Sequence, residues 1–121
     1  MESMQLRNEV AKAAIKMHQM GFAPATGGNI SAKVPGRDQV VITPSGVPYE
    51  NLTGEEMVIV DLTGQIIVGQ LQPSSELPMH LAIYKHRPQV GGVVHTHSLF
   101  ATVLATLGWS LPPINYLVPM L

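Results

Sequence analysis

Gly91-Gly92-Val93-Val94-His95-Thr96-His97 is the stretch on which the reading of this chain turns. Val90 to His95 has the β-branched character of a core strand. Side chains alternate faces along a strand, so His95 and His97 share one side while Thr96 points away. Two neutral imidazoles converging on a point begin a divalent-metal site, most often one for Zn²⁺.

Helical patterns lie on both sides of this strand. Upstream, a helix is expected to begin near Leu77-Pro78, where the missing N–H of proline costs nothing. Leu81, Ala82 and Tyr84 fall on or near one face, Lys85-His86-Arg87 suits the C-terminal end, and Pro88 stops it. Downstream, Ser98 can cap a helix that runs to about Leu107 and is followed by Gly108. Near the start, Leu6, Val10, Ala13, Ala14 and Met17 recur at helical spacing and predict an amphipathic helix from Gln5 to Met20, closed by Gly21. Short strands are expected at Ile30 to Val34 and Gln39 to Thr43. Val58 to Asp61 and Gln65 to Val68 flank Leu62-Thr63-Gly64 as a hairpin. No regular βαβ repeat runs through this order. It implies an α/β (α+β) fold, with a mixed or antiparallel sheet flanked by helices.

The 121 residues suit one domain, and 45% hydrophobic against 12% charged residues fits a well-buried chain. A net charge of −1 without any Lys/Arg block argues against nucleic acid as a partner. Such sparse charge hints that other subunits cover part of the surface. The absence of cysteine excludes disulfides, thiolate zinc sites and cysteine nucleophiles. No signal peptide and no apolar run of transmembrane length is apparent, so a cytoplasmic location without a membrane partner is the default expectation.

Three loops carry the remaining chemistry. Thr26-Gly27-Gly28-Asn29 can turn backbone N–H groups toward an anion. Thr43-Pro44-Ser45-Gly46 is a second such turn, with a hydroxyl. Pro73-Ser74-Ser75-Glu76 precedes a helix N-terminus, which favours phosphate. Each alone is more often an ordinary turn or helix cap, but three in one short chain are less easily dismissed. Glu76 is the obvious third metal ligand or general base. His80, one helical turn on, is a possible fourth ligand but fits a core or supporting role better. His18 and His86 have no sequence partner and are expected at the surface.

Taken in order, Gly27-Gly28-Asn29-Ile30-Ser31, Ile42-Thr43-Pro44-Ser45-Gly46, Pro73-Ser74-Ser75-Glu76 and His95-Thr96-His97-Ser98 resemble the class II aldolase/adducin family. The likeness is closest to its fuculose-phosphate-cleaving branch and covers nearly the whole chain. It implies a largely antiparallel sheet with helices on both sides, assembled as a homotetramer. It also implies one Zn²⁺ per subunit, held by His95, His97 and a third histidine that lies beyond the matching region of this chain. Glu76 would be the acid/base residue and a ligand of the resting metal. Phosphate contacts carry over to Gly28, Asn29, Ser45, Gly46, Ser74 and Ser75. Tyr116 matches a tyrosine that a neighbouring subunit offers to the aldehyde end of the substrate.

The reaction so implied is reversible cleavage of a ketose phosphate to dihydroxyacetone phosphate and an aldehyde. A sugar-phosphate epimerase of the same family is the alternative, although that branch tends to carry Asp where Glu76 stands. A non-catalytic, adducin-like assembly module is another. Against the family pattern, residues 1–121 read as a single domain incomplete at its C-terminus. The apolar end, Ile114 to Leu121, looks like an element cut short. An uncovered sheet edge and core are then expected to favour association.

Overall fold

The computed structural model describes residues 2–112. Alternation along its strands explains its layers. Val40 and Ile42 of strand β2 (Gln39–Ile42) face one side, and Val41 faces the other. Val58 and Val60 of β3 (Val58–Asp61) join the first pair, and Ile59 joins Val41. Both faces are therefore apolar, and each is covered by one helix. Helix α1 (Glu2–Gln19) buries Val10, Ala11, Ala14 and Met17 against the Val41–Ile59 face. Helix α2 (Leu77–His86) buries Leu77, Leu81 and Tyr84 against Val40, Ile42, Val58 and Val60.

The sheet is antiparallel throughout. With β1 (Asn29–Lys33), β4 (Ile66–Val68) and β5 (Gly92–His95), its five strands run in the order β4-β3-β2-β1-β5. This is the expected helix-flanked sheet with the predicted hairpin at β3–β4. Register is what places the site. β1 pairs with β5 so that Asn29 lies opposite His95 and Ser31 opposite Val93.

Four local expectations change. Strand β5 ends at His95, so His97 lies just past it, its N–H bonded to Phe22 O at 2.7 Å instead of to a neighbouring strand. Ser98 stands at the N-cap of helix α3 (Leu99–Leu107) but makes no side-chain cap bond. On α2 Ala82 is exposed and leaves the buried face, which His80 joins in the core role expected of it. His18 is not a free surface group. Its Nδ1–H donates to Ala23 O at 2.7 Å, and its ring stacks on Tyr49 at 5.2 Å.

The glycine stops hold. Gly21 and Gly108 take φ of 79° and 67°, and each gives its N–H to a carbonyl of the preceding helix. Helix α3 buries none of its residues, and Leu99 and Phe100 are 68% and 80% exposed. Arg7 is a structural residue that the sequence pattern did not reveal. Buried in α1, it donates to the Glu55 and Met57 carbonyls and ties the helix to the entry of β3.

Candidate functional site

Three loops meet at the end of the sheet where β1 starts. The loop before β1 is held by Tyr49, whose hydroxyl lies 3.0 Å from Gly27 O and 2.8 Å from Gly28 O. Gly28 has φ of 73°, and a Cβ there would lie 2.8 Å from the His95 carbonyl oxygen. Only glycine allows β1 and β5 to approach so closely here. Gly28→Ala is expected to lower unfolding stability by more than ~2 kcal/mol, from left-handed backbone strain plus a backbone clash. Urea denaturation checks this, and an unchanged midpoint would refute the close approach.

The second and third loops are stitched together. Ser45 N–H donates to Gln72 O at 2.9 Å, and Ser74 N–H to Thr43 O at 3.0 Å. Thr43 also bonds back to Ile30 of β1. As a result Gly27, Gly28, Asn29, Ser45, Gly46, Ser74, Ser75, Glu76 and His97 line one open cleft of about 330 Å³. A larger hollow lies between Lys33–Asp38 and Pro88–Gly91. That one sits at the opposite end of β1, is lined by Lys33, Arg37, Asp38 and Gln89, and holds no histidine.

Glu76 occupies the N-cap position of α2. Ser74 is buried and its Oγ accepts the Glu76 N–H at 3.2 Å, while Ser75 is exposed. The two adjacent serines therefore differ: one shapes the turn and the other faces solvent. At the mouth of the cleft, His95 Nδ1–H donates to Glu76 Oε2 at 2.6 Å. The His97 ring lies 4.9 Å from that of His95. One donor atom from each of Glu76, His95 and His97 falls within 4.8 Å of the other two. Ligand atoms around a tetrahedral zinc of ~2.0–2.2 Å bond length sit ~3.3–3.6 Å apart, so this set would have to draw together to close on an ion. Two imidazoles and a carboxylate are chemically suited to zinc.

Behind these groups lies a polar network that sequence reasoning did not find. Asn29 is buried, and its Nδ2 donates to Glu76 Oε2 at 2.5 Å. Its Oδ1 lies 2.5 Å from His80 Nε2. Both ends of this side chain are thus engaged within the protein, although the phosphate expectation assigned it to a ligand. His80 Nδ1 meets Ser31 Oγ at 2.6 Å, and Ser31 Oγ meets the Tyr84 hydroxyl at 2.8 Å. The available signal was spacing: Glu76, His80 and Tyr84 recur every four residues and form a stripe on α2. Asn29 and Ser31 are two apart on β1 and face that stripe.

Electrostatics follow from these contacts. The Asn29 amide, with the nearby His95, holds the Glu76 carboxyl below its ordinary range. Burial pushes His80 from 6.5 down to about 4, so it stays neutral near pH 7. The unfolded chain then binds more protons between these values, and stability rises with pH across that window. Acidification from pH 7 through about 4 is expected to remove up to ~3 kcal/mol through this group. Denaturation at several pH values should show that slope in the native chain and lose it in His80→Gln. Equal slopes would contradict the buried neutral imidazole.

Tyr116 lies outside the described residues. Among the described residues no helix is long and apolar enough to cross a membrane.

The antiparallel α/β layering and the three-loop cleft define a class that comparison with known proteins identifies. Residues 8–121 match the family described as the class II aldolase and adducin N-terminal domain, and the chain belongs to it. It is 43% identical over 112 residues to 5-deoxy-D-ribulose 1-phosphate aldolase of Bacillus thuringiensis serovar kurstaki, covering 93% of this chain and 53% of that one. An L-fuculose 1-phosphate aldolase structure matches with a TM-score of 0.87 and 33% identity, over 93% of this chain and 53% of that one. The l-fuculose-1-phosphate aldolase of Thermus thermophilus matches with a TM-score of 0.73 and 29% identity, over 95% and 58%. The chain thus spans about half the length of the curated relatives it matches.

Proposed function

We propose that this chain carries the substrate-phosphate and metal-binding half of a zinc-dependent sugar-phosphate aldolase acting on a ketose 1-phosphate. The observation that carries the reading is the Glu76–His95–His97 cluster at one end of a cleft walled by three donor-rich loops. Two relatives named for ketose 1-phosphates support the substrate class.

Zinc held by Glu76, His95 and His97 would supply Lewis acidity at the carbonyl end of the substrate. Ser45, Gly46, Ser75 and the Gly28 region would bind the phosphate through hydroxyl and backbone N–H donors. Ser74 and Asn29 would shape the same wall. Phosphate anchored at that end orients the reacting carbons, so remote binding energy serves the chemistry. Glu76 would exchange the proton with the dihydroxyacetone phosphate carbon. Its low-lying pKa keeps it ionised, as a proton acceptor must be. A cytoplasmic enzyme working as a homotetramer, with Tyr116 offered across a subunit boundary, completes the proposal.

Inorganic phosphate should bind this cleft in competition with a ketose 1-phosphate. Ser75→Asp adds a repelling charge at the exposed serine and is expected to weaken phosphate binding at least ~5-fold. Isothermal titration of both proteins decides it, and equal affinities would remove the phosphate site from these loops.

A further inference from the structure

We propose that His80 is a positioning residue for the centre formed by Glu76, His95 and His97. Its ring fixes which way the Asn29 amide faces, and that amide holds the Glu76 carboxylate toward the two histidines. The inference rests on the reading of that centre given above.

One fact sets the direction of every bond. An ionised carboxylate only accepts hydrogen bonds, so the Asn29 atom 2.5 Å from Glu76 Oε2 must be the NH₂ nitrogen. Asn29 then turns its oxygen to His80, and the ring must carry its proton on Nε2 to donate across 2.5 Å. That leaves Nδ1 a bare acceptor for the Ser31 hydroxyl at 2.6 Å. Ser31 Oγ in turn accepts from the Tyr84 hydroxyl at 2.8 Å. Donors therefore run one way, from Tyr84 through Ser31, His80 and Asn29 to Glu76.

The opposite arrangement is self-defeating. With the proton on Nδ1, the lone pair of Nε2 would face the Asn29 oxygen. Relief would need a rotated amide, which would aim its oxygen at the Glu76 carboxylate and push it from the histidines. Water cannot take over, because His80, Ser31 and Asn29 are 0%, 1% and 4% exposed. A buried polar group left without its partner loses its hydration uncompensated, which keeps the chain in one orientation.

The test uses the full chain, zinc alone as the probe, and three variants. ¹⁵N NMR of the imidazole should show His80 protonated on Nε2 only. His80→Phe keeps a buried ring but ends the relay, and zinc affinity by chelator competition should fall ~10–100-fold. His80→Gln, which can donate to Asn29 and accept from Ser31, should recover to within ~3-fold of the native value. Ser31→Ala removes only the group that holds the proton on Nε2, and should weaken zinc by a smaller factor in the same direction. Circular dichroism and melting temperature report folding separately. If His80→Phe does not fold, Ser31→Ala decides.

A proton on Nδ1, or native zinc affinity in folded His80→Phe or Ser31→Ala, would overturn the proposal. So would His80→Gln binding no better than His80→Phe. If the unaltered chain takes up no zinc, the metal reading fails by itself. The relay is then judged on the Asn29 side-chain N–H signals, which should be resolved and slowly exchanging in the native chain and lost in Ser31→Ala. Their persistence in that variant would sink it.

Discussion

Zinc titrated into His95→Ala is expected to bind at least ~100-fold more weakly than to the unaltered chain. The reason is the density of contacts on this ring. His95 Nδ1 lies 2.6 Å from Glu76 Oε2 and 3.3 Å from Asn29 Oδ1, and its ring meets that of His97. Loss of a partner behind a metal ligand typically costs ~10–100-fold, so loss of the ligand itself should cost more. The fold should survive, because β5 pairs with β1 through backbone atoms and His95 is only partly buried. Thr96→Ala serves as the control. Thr96 is exposed and no donor atom of the cluster belongs to it, so its zinc affinity should stay unchanged. Chelator competition on folded protein gives the answer. Comparable affinities for His95→Ala and the native chain would remove this histidine from the centre.

How much of this was legible in the sequence depends on the range of the interaction concerned. Helix α1, the β3–β4 hairpin and the stops at Gly21 and Gly108 are written in local period and backbone permissiveness. Those features sit within a few residues of one another, and the structure reproduces them. The Glu76–His95–His97 cluster was legible as chemistry, since few residue types can hold zinc. What the sequence could not display was the β1–β5 register that sets Asn29 opposite His95. Without that register, Asn29 reads as a loop residue offering a hydrogen bond to phosphate. With it, the same side chain is an internal strut between His80 and Glu76. His18 reads as a surface group for a similar reason. Its partners Ala23 and Tyr49 come from a turn and from a short helical segment that carries no periodic signal. His97 stepped off the strand because β1 begins opposite His95 and offers no further pairing.

The 121-residue chain by itself is expected to hold zinc weakly and to show little or no ketose 1-phosphate cleavage, which follows from the proposed function and from the donor count among the described residues. Three protein ligands can suffice for a catalytic zinc with one open position. Here one of the three is Glu76, which the proposed reaction also uses to move a proton. A proton taken up by Glu76 would neutralise the carboxylate and weaken its hold on the metal, so turnover would leave two firm ligands. Assembly adds a second demand. β5 has a single strand partner among the described residues, and α3, which follows it in the chain, buries none of its apolar side chains. Leu99, Phe100 and Trp109, at 68%, 80% and 66% exposure, form the kind of surface that other protein covers in a working assembly. The measurement pairs a cleavage assay at saturating zinc with metal analysis after dialysis. Sub-stoichiometric zinc and turnover near background are expected. His80 completing the metal shell is the competing account, and it would require the ring to break from Asn29 and Ser31, each within 2.6 Å of it. Robust turnover with one zinc retained per chain would refute the expectation, and would mean that Glu76 is not asked to do both tasks.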